Sequence, residues 1–183
     1  MSSPYPLLHD AARLAVTGLR DAYARNYAAY RSRPTVDNIG VSAVDFANWA
    51  SALDERLRVT AATDAERYRH DRDANPDGRV IGGIRFVRDR HMHQVVVSAV
   101  PDSADFFAAF PPQLSLGIVW RNVDELPEPD GRGRTNKHSE RERDAYHDHM
   151  QGKPTWVTLA AAARWLSAEV ESRGVVLDPW TWP

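Results

Sequence analysis

Leu8, Ala12, Ala15, Leu19, Tyr23, Tyr27 and Tyr30 recur at intervals of three and four. That spacing lays one apolar stripe along a helix and is out of step with the two-residue period of a strand. It predicts a helix from Leu7 to Tyr30, ended at Arg33-Pro34 because proline drives the residue before it out of the helical region. The tyrosine rings read as core and rim, with hydroxyls that need partners, in preference to a stacking surface for bases. A helix with one apolar face needs partners to cover it, and the chain supplies them. Asn38-Ile39-Gly40 reads as a turn and Ser42 with Asp45 as a capping box. Val44, Ala47, Ala50, Leu53 and Leu57 then continue a helical face that can run on through Tyr68. The charged run over 64–73 reads as a solvated helix end, and Asn75-Pro76-Asp77-Gly78 as a strong turn. Residues Arg79 to Val100 read as one more helix, with Ile81, Ile84, Val87, His91, Val95 and Ala99 on one face. Its Val95-Val96-Val97 run also fits a strand, and the length of the pattern decides for helix. Pro101 stops it.

Beyond Pro101 the punctuation is denser. A short helix is expected from Ala104 to Phe110, ended by Pro111-Pro112. Leu114, Leu116, Ile118 and Trp120 alternate with smaller or polar residues, a strand signature. Residues 125–134, with two prolines and two glycines, read as a loop. Ser139 with Glu142 opens a polar helix to about Met150. Thr155 is expected to cap a last helix, striped by Leu159, Ala163, Leu166 and Val170 and closed by Gly174. The aromatic tail is expected to pack back on the body or on a second subunit. The fold class is therefore mainly α: a helical bundle with a short β strand or hairpin and two C-terminal helices. One domain over 1–183 is expected, with a core over 1–101 and an extension over 102–183.

Composition closes off several chemistries. There is no cysteine, which excludes disulfides, thiol catalysis and cysteine-ligated zinc, and suits a reducing cytoplasm. A net charge of −2 gives no overall basic field, so a nucleic-acid site must be a local patch. No run of 18 apolar residues exists, so no membrane span is expected, and the first ten residues lack the pattern of a signal peptide. No glycine-rich phosphate loop or serine elbow occurs, and no cofactor is expected.

The densest polar chemistry is Val87 to Gln94, Val-Arg-Asp-Arg-His-Met-His-Gln. Arg88 is followed by the polar Asp89, and His93 comes five residues after the arginine. This resembles the motif of HEPN-type ribonucleases, an arginine followed by asparagine, aspartate or histidine with a histidine four to six residues on, set late in a compact helical bundle. The resemblance covers the motif and, more loosely, residues 7–100. Beyond the motif, the chain resembles uncharacterised actinobacterial proteins with a similar arginine-and-histidine helix. The resemblance implies a metal-independent endoribonuclease, the toxin half of a toxin–antitoxin pair or a defence effector, working as a homodimer. His93 would take the proton of a ribose 2′-hydroxyl, and Arg88 would hold the phosphate. Asp89 would orient a partner group. Arg85, Arg90 and His91 would add contacts to RNA. On one continuous helix, residues five apart point about 140° away from each other, so Arg88 and His93 need a second subunit to complete a cleft.

Other readings compete. His91-Met92-His93 and His147-Asp148-His149 would share a face on a strand and could then chelate a metal; on a helix they point apart, so no metal site is expected. His138 and the set Asp144, His147 and Asp148 read as solvated. The alternative to an enzyme is a helical module that binds protein or nucleic acid through its loop and aromatic tail.

Overall fold

The structure, a computed structural model, describes residues 6–32, 35–61, 64–91, 96–99, 117–126 and 137–180. It is mainly helical, with a small antiparallel sheet. Six helices lie among the described residues: α1 Pro6–Ser32, α2 Val36–Thr60, α3 Ala65–Ala74, α4 Val80–His91, α5 Lys137–His149 and α6 Thr155–Ser172. Strands β1 Val97–Ala99 and β2 Ile118–Trp120 pair antiparallel, with Val97 opposite Trp120. The expected short helix at 104–110, the strand residues Leu114 and Leu116 and most of the proline–glycine loop lie outside the described residues. Among the described residues, no helix is long and apolar enough to cross a membrane.

Helix α2 is the hub. It packs against α1, α3, α4, α6 and β1, while α5 packs on α4. The α1 stripe is core, as its spacing predicts: Ala12, Ala15, Leu19, Tyr23 and Tyr30 are buried. The Tyr30 hydroxyl finds two partners, donating to the carbonyl of Ile118 at 2.7 Å and meeting the Thr155 hydroxyl. Burial pushes its ionisation up to about 12. The aromatic tail does return to the body: Trp180 packs edge-on against Tyr23, with the Arg20 guanidinium over its ring.

Several element boundaries differ from the sequence reading, each for a local physical reason. Helix α2 begins at Val36, not Ser42, because the Thr35 hydroxyl caps it by accepting from the Asn38 amide. Asn38-Ile39-Gly40 is thus helical, and Ser42 turns inward to accept from Asn26 at 2.8 Å. The helix stops at Thr60 instead of running to Tyr68. There the Arg173 guanidinium donates to the Leu57 carbonyl and the Thr60 hydroxyl, satisfying groups a helix end leaves open. Pro154, not Thr155, holds the cap position of α6; Thr155 is fully buried against Tyr30. Gly174 closes α6 as expected, with φ +80°, a left-handed conformation that a side chain resists.

The largest correction concerns residues 79–100. The helix extends only from Val80 to His91, and Val97–Ala99 is a strand. β-Branched residues favour extended backbone once a partner strand is present. The partner here is β2, more than twenty residues on, and the Arg121 amide adds a bond to the Val96 carbonyl at 3.0 Å. The sheet is anchored by Trp120, which is fully buried and donates its indole N–H to the Thr158 hydroxyl at 2.6 Å. The Trp120 amide donates to the Lys153 carbonyl, and its carbonyl accepts from the Gly152 amide.

Candidate functional site

Asp54 is the residue from which the site is built. It lies on the buried side of α2 beside Leu53 and Leu57 and is fully buried. A carboxylate in that position must be matched by donors or cations. It receives the Tyr68 hydroxyl at 2.9 Å and Arg72 at 3.1 and 3.2 Å, both from α3. From α4 it receives Arg85 at 3.0 Å. The charged run over 64–73 is therefore not a solvated helix end, since Tyr68 and Arg72 are buried on this carboxylate. Burial and the adjoining Asp54 charge both push the Tyr68 hydroxyl's ionisation up.

The network spreads outward from Arg85. Its Nε donates to Glu142 of α5 at 2.8 Å, and its Nη1 lies 3.5 Å from Glu55. Burial opposes the Arg85 charge, but the Glu142 hydrogen bond and the Asp54 charge outweigh it and hold the guanidinium firmly protonated. Arg72 also donates to Asp73 at 2.8 Å, and Arg141 bridges α5 to the same carboxylate. Burial alone would raise Asp73, yet hydrogen bonds from Arg72 and Arg141 bring it below the usual carboxylate range. Glu55 is lowered chiefly by its hydrogen bond from Arg58.

Between α2, α3, α4 and α5 these side chains line a cleft of about 590 Å³. Its walls hold seven arginines against five carboxylates, leaving two positive charges in a chain whose net charge is −2. Two small residues set its width. A Cβ on Gly82 would lie 2.7 Å from the Ala145 Cβ, and one on Gly83 would lie 2.9 Å from the Tyr146 Cα. Only glycine lets α4 and α5 approach this closely.

Of the residues singled out from the sequence, Arg85 and Arg88 both line this cleft. Arg88 is one-third exposed and pairs with the neighbouring Asp89 of its own chain at 2.6 Å. Asp89 itself is exposed and lies outside the cleft lining, as does Arg90, whose guanidinium stacks over the Phe86 ring at 5.0 Å. His91 is the last residue of α4, and its side chain lies outside the described residues. His93 lies outside them altogether, as does the side chain of His138. The continuous helix from which the 140° separation of Arg88 and His93 was reckoned is described only as far as His91.

The cleft also contains Arg58, Arg69 and Arg72, which the sequence reading passed over, and Arg79, Arg141 and His149, to which it gave no place in the site. His149 is half-buried there, whereas His147 is exposed and bound to Asp148 at 2.8 Å. The two histidines thus have different surroundings, as helical spacing requires. Among the described residues no group of three or more potential metal ligands comes together. Partial burial first, and then the Arg79 charge, hold His149 below the ordinary histidine value.

These shifts give a stability profile with two steps. His149 is lowered in the fold, so the unfolded chain takes that proton first and stability declines as pH falls through ~6.5. Asp73 and Glu55 are also lowered, so the stability they add is present at neutral pH and is lost as pH falls below ~4 through their folded values. Thermal melts from pH 7.5 to 3 should show both declines. His149→Asn should flatten the upper step alone and Asp73→Asn should flatten part of the lower one. A melting temperature constant down to pH 4.5 would contradict the His149 assignment.

Comparison with protein-family models, curated proteins and solved structures gives no match to this chain.

Proposed function

We propose that the chain is a metal-independent endoribonuclease of HEPN type, with RNA as substrate and Arg88 and His93 as its reacting pair. The observation that carries this reading is that Arg88 and Arg85, on successive turns of α4, open into one cleft whose walls carry excess positive charge. Phosphate oxygens seek such donors, and guanidinium groups stabilise charge that builds on them in the transition state. Arg85, tied on both sides to Asp54 and Glu142, holds α4 in place. Arg88 contacts the scissile phosphate.

In the reaction, the ribose 2′-oxygen gives its proton to His93 and attacks the adjacent phosphorus. The bond from phosphorus to the 5′-oxygen breaks, that oxygen takes up a proton, and a 2′,3′-cyclic phosphate remains. DNA, lacking the 2′-hydroxyl, resists. Asp89 orients Arg88 through their ion pair. Arg90 and His91 add contacts to the RNA. A homodimer, a cytoplasmic setting and an antitoxin partner belong to the same reading.

The test is cleavage of single-stranded RNA in EDTA by the purified chain, with the ends examined for cyclic phosphate. Arg88→Ala and His93→Ala should each lower the rate by about 100-fold or more, with melting temperature preserved. Cleavage unchanged by both substitutions removes the proposal.

A further inference from the structure

The register between α4 and α5 shows where along the cleft each charged group stands. Gly82 faces Ala145, and Arg85 bonds Glu142, three residues later on one helix and three earlier on the other. The helices therefore run antiparallel. Continued the other way, this register brings Arg79, just ahead of α4, to the last turn of α5, where its charge acts on His149. Arg88 lies nine residues from Arg79, roughly 13 Å along the helix axis. The cleft thus has two cationic ends. Between them Arg85 is committed to Asp54 and Glu142, and Arg72 and Arg141 to Asp73, so these guanidinium groups already hold carboxylates. The far end is open to a ligand: Arg79 is exposed and its guanidinium makes no ion pair among the described residues. Lys153 lies near enough to bear on His149 as well.

We infer that the cleft is a strand track with two separate phosphate subsites, Arg88 at one end and Arg79 with His149 at the other. Its ligand is then an unpaired polynucleotide carrying at least two phosphates. The cleft has the volume of a small-molecule site, which admits a few unpaired nucleotides and excludes a duplex. The inference takes its ligand class from the ribonuclease reading, but it concerns binding, not bond cleavage. It also makes the far subsite sensitive to acid. His149 faces the guanidinium of Arg79 from the turn before α4, Lys153 from the turn after α5 and Asp148 of its own helix. Its protonation adds one positive charge to that end.

Binding of 2′-O-methyl oligonucleotides tests this, because they present the same phosphates and cannot be cut by 2′-oxygen attack. With fluorescein-labelled strands of two to six nucleotides and the full chain, anisotropy should show affinity rising about 10-fold or more once a second phosphate spans the cleft. Arg79→Ala should abolish that rise, leave the dinucleotide unchanged and reduce the salt slope by about 0.7, the single-strand value for one contact. Binding should tighten as pH falls below the ordinary histidine value of ~6.5 in the parent chain and not in His149→Asn. Affinity that does not grow with length, an Arg79→Ala loss as large on the dinucleotide as on the hexamer, or equal binding of duplex overturns the track. Both replaced side chains are at least partly exposed, and a melting curve checks each fold. Unmodified RNA left intact would sink the ribonuclease reading alone. Cleavage that persists with no length dependence would sink the track alone.

Discussion

Replacing Asp54 with alanine should lower the folding free energy by about 3–5 kcal/mol, the usual cost of removing one partner from a buried ionic group. Arg72, 6% exposed, would be left buried without its main counter-charge, and the Tyr68 hydroxyl would lose its acceptor. Arg85 would lose Asp54 and keep Glu142 and its longer contact with Glu55. The effect is larger than for the surface pairs of this protein, such as Arg164 with Asp77, which are half-exposed and whose kind contributes at most about 1 kcal/mol. Urea unfolding of the parent and Asp54→Ala chains measures the difference. A loss under about 1 kcal/mol would mean that Arg72 swings to water at little cost. The companion triple change, Asp54→Leu with Arg72→Met and Arg85→Leu, should recover much of the stability, since an apolar replacement of similar volume removes the desolvation cost along with the attraction. It should not recover the cleft's charge, because two of the seven arginines that line it are gone.

Trp120→Ala should cost a comparable amount, about 3–5 kcal/mol, as large buried aromatic truncations do. The indole is fully buried, packs edge-on to Tyr146 and gives its N–H to Thr158. Truncation leaves a cavity where β2, α5 and α6 meet and strips the Thr158 hydroxyl of a donor. Trp120→Phe should cost less than alanine, and the difference between the two separates volume from the hydrogen bond. Equal costs would show that the Thr158 contact outweighs the packing.

How much of this was legible depends on the range over which each signal acts. The α1 stripe could be read because helical periodicity is local, and every residue from Ala12 to Tyr30 in that stripe is at least partly buried. The end of α6 could be read because Gly174 marks it directly. Strand β1 could not, since Val97–Ala99 becomes extended only when β2 arrives from a distant part of the chain. The charged run before Asn75 misled for the same reason. Its buried face is set by Asp54, whose signal was present: Asp54 follows Ala50 by four residues and adjoins Leu53, so a carboxylate occupies the apolar face of α2. Such a position calls for arginines, and the next segment supplies them. Arg88 was found from its motif, whereas His149 was set aside because nothing within α5 reveals that α4 will lie antiparallel to it.

The contacts of α1 have a consequence for the order in which the chain is made. Two of its buried tyrosines are completed by residues synthesised much later: Tyr30 meets Thr155, 125 positions on, and Tyr23 is covered by Trp180. At ~5–20 residues per second on a ribosome, the interval is on the order of ten seconds. Helix α2 emerges soon enough to shelter one side of α1, but the side that will receive α6 and the tail stays open to water throughout. A nascent chain of this protein therefore presents a tyrosine-lined apolar face until almost all of its described length has been translated. That face is where a chaperone would find it, and where a stalled or truncated product would adhere to its neighbours.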